Sequence, residues 1–227
     1  MLGAALALSA LLSGQGAGAE TGRKPLALFF GDSLFTGTGT HPTRHVEARE
    51  TAQLMGWQPV VDARGGTGYT TGGGHGSSYL TRLRNDSTLY QKFDVIVLEG
   101  GTNDARHGSL TRLRADALRT IRYVQQRQPW ARIVLVGGFA PSTVEPARYR
   151  RMDQVLTSVA AELGLQYVSQ LHYSSEGPGF LATDGFHPGS AGYRQMAVDL
   201  SAALRQGSTT PPTGTLPIGS PAASSTP

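Results

Sequence analysis

The sequence alternates short apolar runs with longer segments of helical periodicity, and this alternation constrains the fold more than any other feature. The apolar runs have no polar face, as in parallel strands that helices cover on both sides. A chain that repeats strand and helix builds a parallel sheet between two layers of helices. The predicted strands are 26–30, 59–61, 95–98, 133–136 and 166–168. We therefore predict an α/β fold of three layers around a five-stranded parallel sheet.

Four segments place apolar residues at steps of three and four, which is the periodicity of one helix face. In the clearest of them arginines fall between the apolar residues, off the stripe. Gly164 is expected to end the third helix, and Ser190 to cap the fourth. The predicted helices are 43–55, 110–124, 149–163 and 190–204.

The two ends of the chain differ in composition from its middle. Residues 2–12 are apolar and are followed by Ala17-Gly18-Ala19, a pattern typical of a cleaved signal peptide, although no Lys or Arg precedes it. We expect a signal peptide at 1–19 and weigh against it a buried N-terminal helix. Residues 207–227 are rich in Pro, Ser and Thr, which predicts a disordered tail or a wall-spanning stalk. The folded domain is expected at 24–206, in a protein that is secreted or associated with the cell envelope.

Composition excludes several classes of function. The chain has no cysteine, so disulfides and thiolate metal sites are excluded. Lys and Arg number 20 against 16 Asp and Glu, but the cations are spread along the helices without a basic run. This pattern indicates solvated helix faces and argues against nucleic-acid binding. Apart from the short N-terminal stretch, no segment approaches the length of a membrane span. We expect a monomer without stable membrane insertion.

The residues that follow the predicted strands are glycines or groups capable of chemistry. The carboxyl ends of parallel strands meet at one edge of the sheet, where α/β proteins place their ligands. These residues are therefore expected to lie close together. They are 31–34 after the first strand, 64–70 after the second, 100–104 after the third, 137–139 after the fourth and 184–188 before the last helix.

Three of these residues have the chemistry of a serine nucleophile. Ser33 supplies a hydroxyl, His187 a base, and Asp184, three residues earlier, a carboxylate within one turn of the imidazole. The backbone N–H groups of Ser33 and Gly68, with the side-chain amide of Asn103, are candidate donors to an oxyanion. Taken alone, Ser33 and His187 are also compatible with a turn residue or helix cap and a loop histidine.

The four blocks that carry these residues resemble those of the SGNH family, also called GDSL hydrolases. Gly-Asp-Ser-Leu at 31–34, Gly-Thr-Asn-Asp at 101–104 and Asp-Gly-Phe-His at 184–187 match in family order. The glycine block is looser: its spacing puts Gly68 at the oxyanion position, with Gly66 as the alternative. The resemblance implies a flavodoxin-like fold, a secreted bacterial-type esterase, hydrolysis of esters or thioesters, and no metal or cofactor. Some family members deacetylate carbohydrates or transfer acyl groups.

The glycine-rich segment 65–76 raises one further alternative, a phosphate-binding loop. It lacks the Gly-Lys-Ser/Thr ending of a P-loop, and it does not follow the first strand as a dinucleotide fingerprint does. We interpret it as a rim that admits substrate. The expected substrate is a small ester or an acylated glycan with a short acyl chain. Two alternatives stay open: an acyltransferase or deacetylase acting on envelope or plant glycans, and a catalytically silent surface-binding module.

Overall fold

The computed structural model describes residues 22–41, 46–139, 141, 145–175 and 179–207. Five strands form one sheet in the order β2-β1-β3-β4-β5, and every neighbouring pair is parallel. The strands are β1 Leu26–Gly31, β2 Gln58–Ala63, β3 Val95–Gly100, β4 Arg132–Gly137 and β5 Gln166–Val168. The predicted α/β fold with five parallel strands is confirmed.

Seven α-helices connect or follow these strands in the described residues. They are α1 Ser33–Thr36, α2 Val46–Met55, α3 Tyr79–Asn85, α4 Thr102–His107, α5 Leu110–Arg127, α6 Pro146–Glu162 and α7 Ser190–Gln206. Short 3-10 turns cover Gly73–His75, Ser87–Tyr90 and Leu171–Ser175. The four helices predicted from periodicity correspond to α2, α5, α6 and α7. Ser190 is the first helical residue of α7, and Gly189, not Ser190, is its N-cap.

The sheet is apolar on both faces because alternate side chains of each strand enter two different cores. Phe30 and Leu98 pack with α3, α5 and α6 on one face. Phe29 and Val97 pack with α2 and α7 on the other. These two cores explain why the strands show unbroken apolar runs rather than an alternating pattern.

The carboxyl ends of β1 and β3 lie side by side, and this position defines the site. From β1 the chain passes to β2 on one side, whereas β3 pairs with β1 on the other side. The crossover connections therefore diverge at this point and leave a crevice, as in other open α/β sheets. Ser33 follows β1 and Asn103 follows β3, so both lie at the crevice.

Some sequence-based predictions fall on residues that the structure does not describe. The expected signal peptide at 1–19 lies outside the described residues, as does the tail from residue 208 onward. The first residues of the helix predicted at 43–55 lie outside them too, and its described part begins at Val46.

Candidate active site

Ser33 is presented at the turn between β1 and α1. Asp32 caps α1, its Oδ1 accepting from the Leu34 N–H at 2.9 Å. Ser33 is the first helical residue and is 7% exposed, so only a small part of its surface faces the crevice. Gly31, two residues earlier, leaves room for the Glu99 carboxyl, because a Cβ at this position would lie 2.7 Å from Glu99 Oε2. The local sequence thus places β1 against β3 and directs one hydroxyl into the crevice.

Asp184 and His187 form a compact turn that faces Ser33. Asp184 Oδ1 accepts from the backbone N–H groups of Phe186 and His187, each at 2.9 Å. Asp184 Oδ2 lies 2.7 Å from His187 Nδ1, and His187 Nε2 lies 3.0 Å from Ser33 Oγ. Gly185 has a φ of 65°, a conformation that suits glycine in so tight a turn. The structure therefore brings together the three side chains singled out in the sequence.

The turn also favours the ionised form of Asp184. Partial burial opposes ionisation, but the hydrogen bonds from the His187 side chain and from the Phe186 and His187 backbone outweigh it. The pKa of Asp184 is consequently lower than its ordinary value. A carboxylate in this position holds Nδ1 as the protonated nitrogen of a neutral imidazole, which leaves Nε2 free to accept a proton from Ser33.

Asn103 lies at the crevice, where its side-chain amide already has two partners. Nδ2 is 2.8 Å from Asp32 Oδ2 and 3.0 Å from the carbonyl oxygen of Thr67. An oxyanion could take the place of the Thr67 carbonyl, since a charged acceptor forms a stronger hydrogen bond than a neutral one.

Gly68 does not lie where the sequence suggested. Its N–H donates to Thr71 O at 2.8 Å, and its Cα packs so closely on Asp104 that a Cβ would lie 2.5 Å from Oδ2. Gly65 and Gly66 line the cavity instead. Within the described residues, the Gly66 N–H has no hydrogen-bond acceptor. Gly68 is therefore not placed to donate to an oxyanion, and Gly66, the alternative from the sequence, becomes the candidate donor.

Three carboxyl groups are buried beneath the crevice. Asp104 accepts from the Tyr69 and Thr70 N–H groups at 3.0 and 2.6 Å, which holds the glycine-rich segment in place. Glu99 Oε2 accepts from the Asp32 N–H at 3.2 Å. Burial is the main cause that raises the pKa of Asp32 to about 6 and that of Glu99 well above its ordinary value. Sequence reasoning missed Glu99, although a carboxyl inside an apolar strand is a visible signal.

The crevice opens into a cavity of about 600 Å³, within the usual range for small-molecule sites. Its walls combine the candidate catalytic groups with glycines, threonines and one cation. The lining includes Ser33, Asn103, His187, Thr38, Gly65, Gly66, Thr71, Gly73, Gly74, Arg106, His107 and Phe186. The glycine-rich rim predicted from the sequence is part of this wall. Arg106, His107 and Phe186 were not predicted as site residues, because their positions depend on how α4 meets the loop before α7.

The family model of the GDSL-like lipase/acylhydrolase family matches residues 29–195, which covers most of the chain and all the residues of the candidate site. The chain belongs to this family. It is accordingly an ester-hydrolysing enzyme of the GDSL type. A comparison with curated proteins finds no match.

Solved structures with the same fold include a carbohydrate esterase and an acyltransferase. A family two carbohydrate esterase from Clostridium thermocellum, in complex with cellohexaose, superposes with a TM-score of 0.68 at 19% identity. The similarity covers 84% of this chain and 66% of the esterase chain. TesA gives a TM-score of 0.62 at 19% identity, over 80% of this chain and 98% of its own. A salicylyl-acyltransferase from a tetracycline biosynthetic pathway gives 0.66 at 17% identity, over 84% and 56%. At these identities the likeness shows the fold.

The described part of this GDSL-family chain contains neither a cluster of metal ligands nor a membrane-spanning helix. In the part of the chain that the structure describes, no three His, Asp or Glu side chains are grouped so as to hold a metal ion. None of the described helices is both long and apolar enough to cross a membrane.

Proposed function

We propose that this enzyme hydrolyses carboxylic esters with short acyl or acetyl groups through a Ser33–His187–Asp184 triad. One observation carries the proposal: a continuous path runs from Asp184 Oδ2 to His187 Nδ1 at 2.7 Å, and from His187 Nε2 to Ser33 Oγ at 3.0 Å. Both distances are within hydrogen-bond reach, as general-base activation of a nucleophile requires.

The acylation step follows from this geometry. Ser33 Oγ attacks the ester carbonyl carbon while its proton passes to His187 Nε2, and the carbonyl oxygen becomes an oxyanion. The backbone N–H groups of Ser33 and Gly66 and the Asn103 amide are the proposed donors to that oxyanion. The tetrahedral intermediate then collapses, the bond to the leaving alcohol breaks, and Nε2 returns its proton to the alcohol oxygen. The product is an acyl group on Ser33 Oγ.

Deacylation repeats these steps with water as the nucleophile. His187 Nε2 takes a proton from water as the water oxygen attacks the acyl carbon. Collapse of the second intermediate returns the proton to Ser33 Oγ and releases the carboxylic acid. Asp184 stays ionised throughout, which is consistent with its lowered pKa, and supports the imidazolium that forms in each step.

The proposed substrates are small esters or acylated glycans. The cavity wall is rich in glycine and threonine, and Phe186 is the one large apolar side chain among its described lining residues, so a long acyl chain would find few apolar side chains to contact. The fold likeness to a carbohydrate esterase also supports an acylated glycan. Secretion or attachment to the cell envelope is proposed from the composition of residues 1–19 and 207–227. We also propose that the enzyme acts as a monomer.

Covalent labelling tests the nucleophile. A fluorophosphonate probe is expected to label the wild-type protein at Ser33, as located by peptide mass spectrometry, and to leave Ser33→Ala unlabelled. Ser190→Ala, which changes an exposed serine at the start of α7, serves as the matched control and should label like the wild type. Failure of the wild type to react would favour a silent binding module and overturn the proposal.

The acyl specificity is tested with a series of p-nitrophenyl esters from acetate to palmitate. We expect kcat/KM to be highest for acetate or butyrate. A maximum at laurate or palmitate would contradict the short-chain proposal while leaving ester hydrolysis intact.

Acyl transfer is the second candidate function, since an open cavity admits an alcohol as readily as water and an acyltransferase shares the fold. Partitioning of the acyl-enzyme between water and added saccharide alcohols separates the two. A transfer product that outcompetes hydrolysis at millimolar alcohol would favour the acyltransferase.

A further inference from the structure

Arg106 occupies a particular position beside the proposed triad. It lies three residues after Asn103 on α4, so the two side chains share one face of that helix, and both line the cavity. Its guanidinium carbon lies 4.4 Å from the centre of the Phe186 ring. The Phe186 ring in turn lies 4.8 Å, centre to centre, from the imidazole of His187. Phe186 therefore holds the Arg106 guanidinium close to His187, the proposed base.

Arg106 has no carboxylate partner among the residues that the structure describes. Every described salt bridge involves another cation, and half of these cations are arginines on the surface of α5. Of the carboxyls near the crevice, Asp184 accepts from His187 and its turn, while Asp32 and Asp104 are buried and accept from neighbouring groups. The charge of Arg106 is therefore balanced by no side chain of the described site.

The chemistry of a guanidinium indicates what could balance this charge. Arginine stays protonated at all physiological pH values, and its flat fork of N–H donors matches a carboxylate. Contact with the face of the Phe186 ring holds the guanidinium without occupying any of its N–H donors. These donors therefore remain available for a ligand. An aromatic support of this kind also limits the rotamers that binding must fix.

The side of the cavity indicates which part of the substrate Arg106 meets. His187 Nε2 must return a proton to the leaving alcohol, so the alcohol leaves the reaction centre next to His187. Phe186 and Arg106 extend the wall on that side. Building on the proposed function, we propose that Arg106 binds a carboxylate carried by the leaving alcohol, and that the enzyme prefers esters of acidic alcohols such as acylated sugar acids.

Matched aryl acetates test this inference. The first ester is 4-acetoxybenzoate, whose leaving group carries a carboxylate, and the second is its neutral methyl ester. For each protein the readout is the ratio of the two kcat/KM values after division by the uncatalysed hydrolysis rates. We expect the wild-type ratio to favour the carboxylate ester by about tenfold. This is the lower end of the range for a hydrogen bond to a charged group, because the site is open to water. Raising NaCl from about 0.05 M to about 0.5 M should shrink the ratio.

Variants assign the preference to Arg106. Arg106→Gln should bring the ratio close to one, and Arg106→Lys should restore only part of it, because an ammonium lacks the flat fork. Arg127→Gln is the matched control. Arg127 also contacts an aromatic ring, that of Tyr90, but it ends α5 at the opposite edge of the sheet, so its removal should leave the ratio unchanged. An equal ratio in the wild type and Arg106→Gln would overturn the inference.

Two further measurements separate this inference from the proposed function. A carboxylate on the acyl side, as in phenyl hemisuccinate, should give no comparable preference, and a larger one there would overturn the assignment to the alcohol. Binding of 4-acetoxybenzoate to Ser33→Ala, followed by NMR titration, does not depend on turnover. Adding Arg106→Gln to that variant should weaken binding about tenfold. Unchanged binding would overturn the inference, whereas absence of turnover in the wild type would overturn only the proposed function.

Discussion

At the scale of single residues, the candidate site is held by groups that already have partners before a substrate arrives. Asn103 shares its amide between the buried carboxyl of Asp32 and the carbonyl of Thr67. The bond to Asp32 fixes the rotamer of the amide. The bond to Thr67 joins it to the glycine-rich segment, and this is the bond that a developing oxyanion could replace. An amide positioned in this way favours the transition state more than the bound ester, because only the transition state carries the charge.

We expect graded losses of activity at these positions. Ser33→Ala and His187→Ala should each remove nearly all turnover, since nucleophile and base act as a unit. Asn103→Ala removes one proposed oxyanion donor and should lower kcat about a hundred- to a thousandfold, or about 3 kcal/mol, with little change in KM. Asn85→Ala, at the end of α3 away from the cavity, is the control. The measurement is kcat and KM on one small ester; a strong rise in KM with kcat intact would make Asn103 a substrate-binding residue.

The sequence predicts some contacts of this site better than others. Asp184 and His187 are three residues apart, so local geometry alone limits how far their side chains can separate. Ser33 follows from the rule that active groups gather at the carboxyl ends of parallel strands. The sequence could not show that the Gly68 N–H already donates a hydrogen bond. Its acceptor is the Thr71 carbonyl, which comes within reach only because the loop folds back. Arg106 could not be placed either, since its position depends on contact with Phe186, 80 residues away in the chain.

At the scale of elements, one buried arginine joins α3 to the two strands beside the site. Arg82 is 1% exposed and donates to Gly31 O at 2.9 Å, at the end of β1. It also donates to Thr67 Oγ1 at 2.9 Å and to Asp62 Oδ1, on β2, at 2.6 Å. The guanidinium lies 4.2 Å from the centre of the Phe30 ring. A single side chain therefore fixes α3, β1, β2 and the glycine-rich segment relative to one another.

Replacing Arg82 by Met should destabilise the fold by about 3–5 kcal/mol, because Asp62 and two buried oxygen acceptors lose a charged partner. Arg82→Lys should recover little, since an ammonium cannot reach the same acceptors with a planar fork. Arg84→Met, two residues along the same helix, changes an exposed arginine that contacts Tyr123 and should cost less than about 1 kcal/mol. Urea unfolding at neutral pH measures all three. Equal losses for Arg82→Met and Arg84→Met would contradict the structural role of Arg82.

Periodicity predicts the long elements of this fold and misses the short ones. The stripe of α5 and the runs of β3 and β4 are visible because their apolar residues recur over many positions. Helices α1 and α4 are too short to show a period, and α3 is rich in polar residues. Nothing in the sequence distinguishes Arg82 from the other arginines spread along the chain. Its burial depends on acceptors from β1, β2 and the segment after β2, which no local pattern reveals.

At the scale of the whole molecule, stability is expected to reside in the segment that ends at Gln206. The tail beyond it combines Pro, Ser and Thr without apolar periodicity, so it offers little surface that could dock on the domain. Truncation after Gln206 should leave the melting temperature and turnover unchanged. Differential scanning calorimetry and ester kinetics on the two chain lengths provide the test, and a drop of several degrees would show that the tail docks.

Among the residues that the structure describes, the buried Asp, Glu, Lys and Arg side chains are five carboxyls and one guanidinium, that of Arg82. The carboxyls are Asp32, Glu47, Glu99, Asp104 and Asp116. Glu47, on α2, accepts from Gln170 Nε2 at 2.5 Å and so joins that helix to the segment after β5. Burial raises the pKa of Glu47 to about 8, although the bond from Gln170 opposes the shift. The folded chain therefore holds protons that the unfolded chain releases near pH 4.5.

Because the folded chain binds more protons than the unfolded chain, the free energy of unfolding falls as the pH rises. A carboxyl with a raised pKa in the folded state contributes its full stability below its ordinary pKa and loses it as the pH rises towards the folded value. Glu47 loses this stability between pH 4.5 and about pH 8, and Asp32 loses it between pH 3.8 and about pH 6. Asp94 and Asp184, whose pKa values are lowered, have the opposite effect, but only below their ordinary values near pH 4. Stability should therefore fall between about pH 5 and pH 8, by at most about 1.4 kcal/mol per pH unit for each such group.

Glu47→Gln isolates the contribution of this one carboxyl, because glutamine has the shape of the neutral acid and cannot ionise. Relative to the wild type, the variant should gain stability steadily from pH 5 to pH 8 and then hold a constant advantage, since Glu47 is ionised above that point in both states. Urea unfolding at several pH values measures the difference. Glu50→Gln, one turn further along α2, is the control and should leave the wild-type slope in place. If Glu47→Gln and the wild type ran parallel across this range, Glu47 would already be ionised in the folded protein, and the packing of α2 against the segment after β5 would have to accommodate a buried charge.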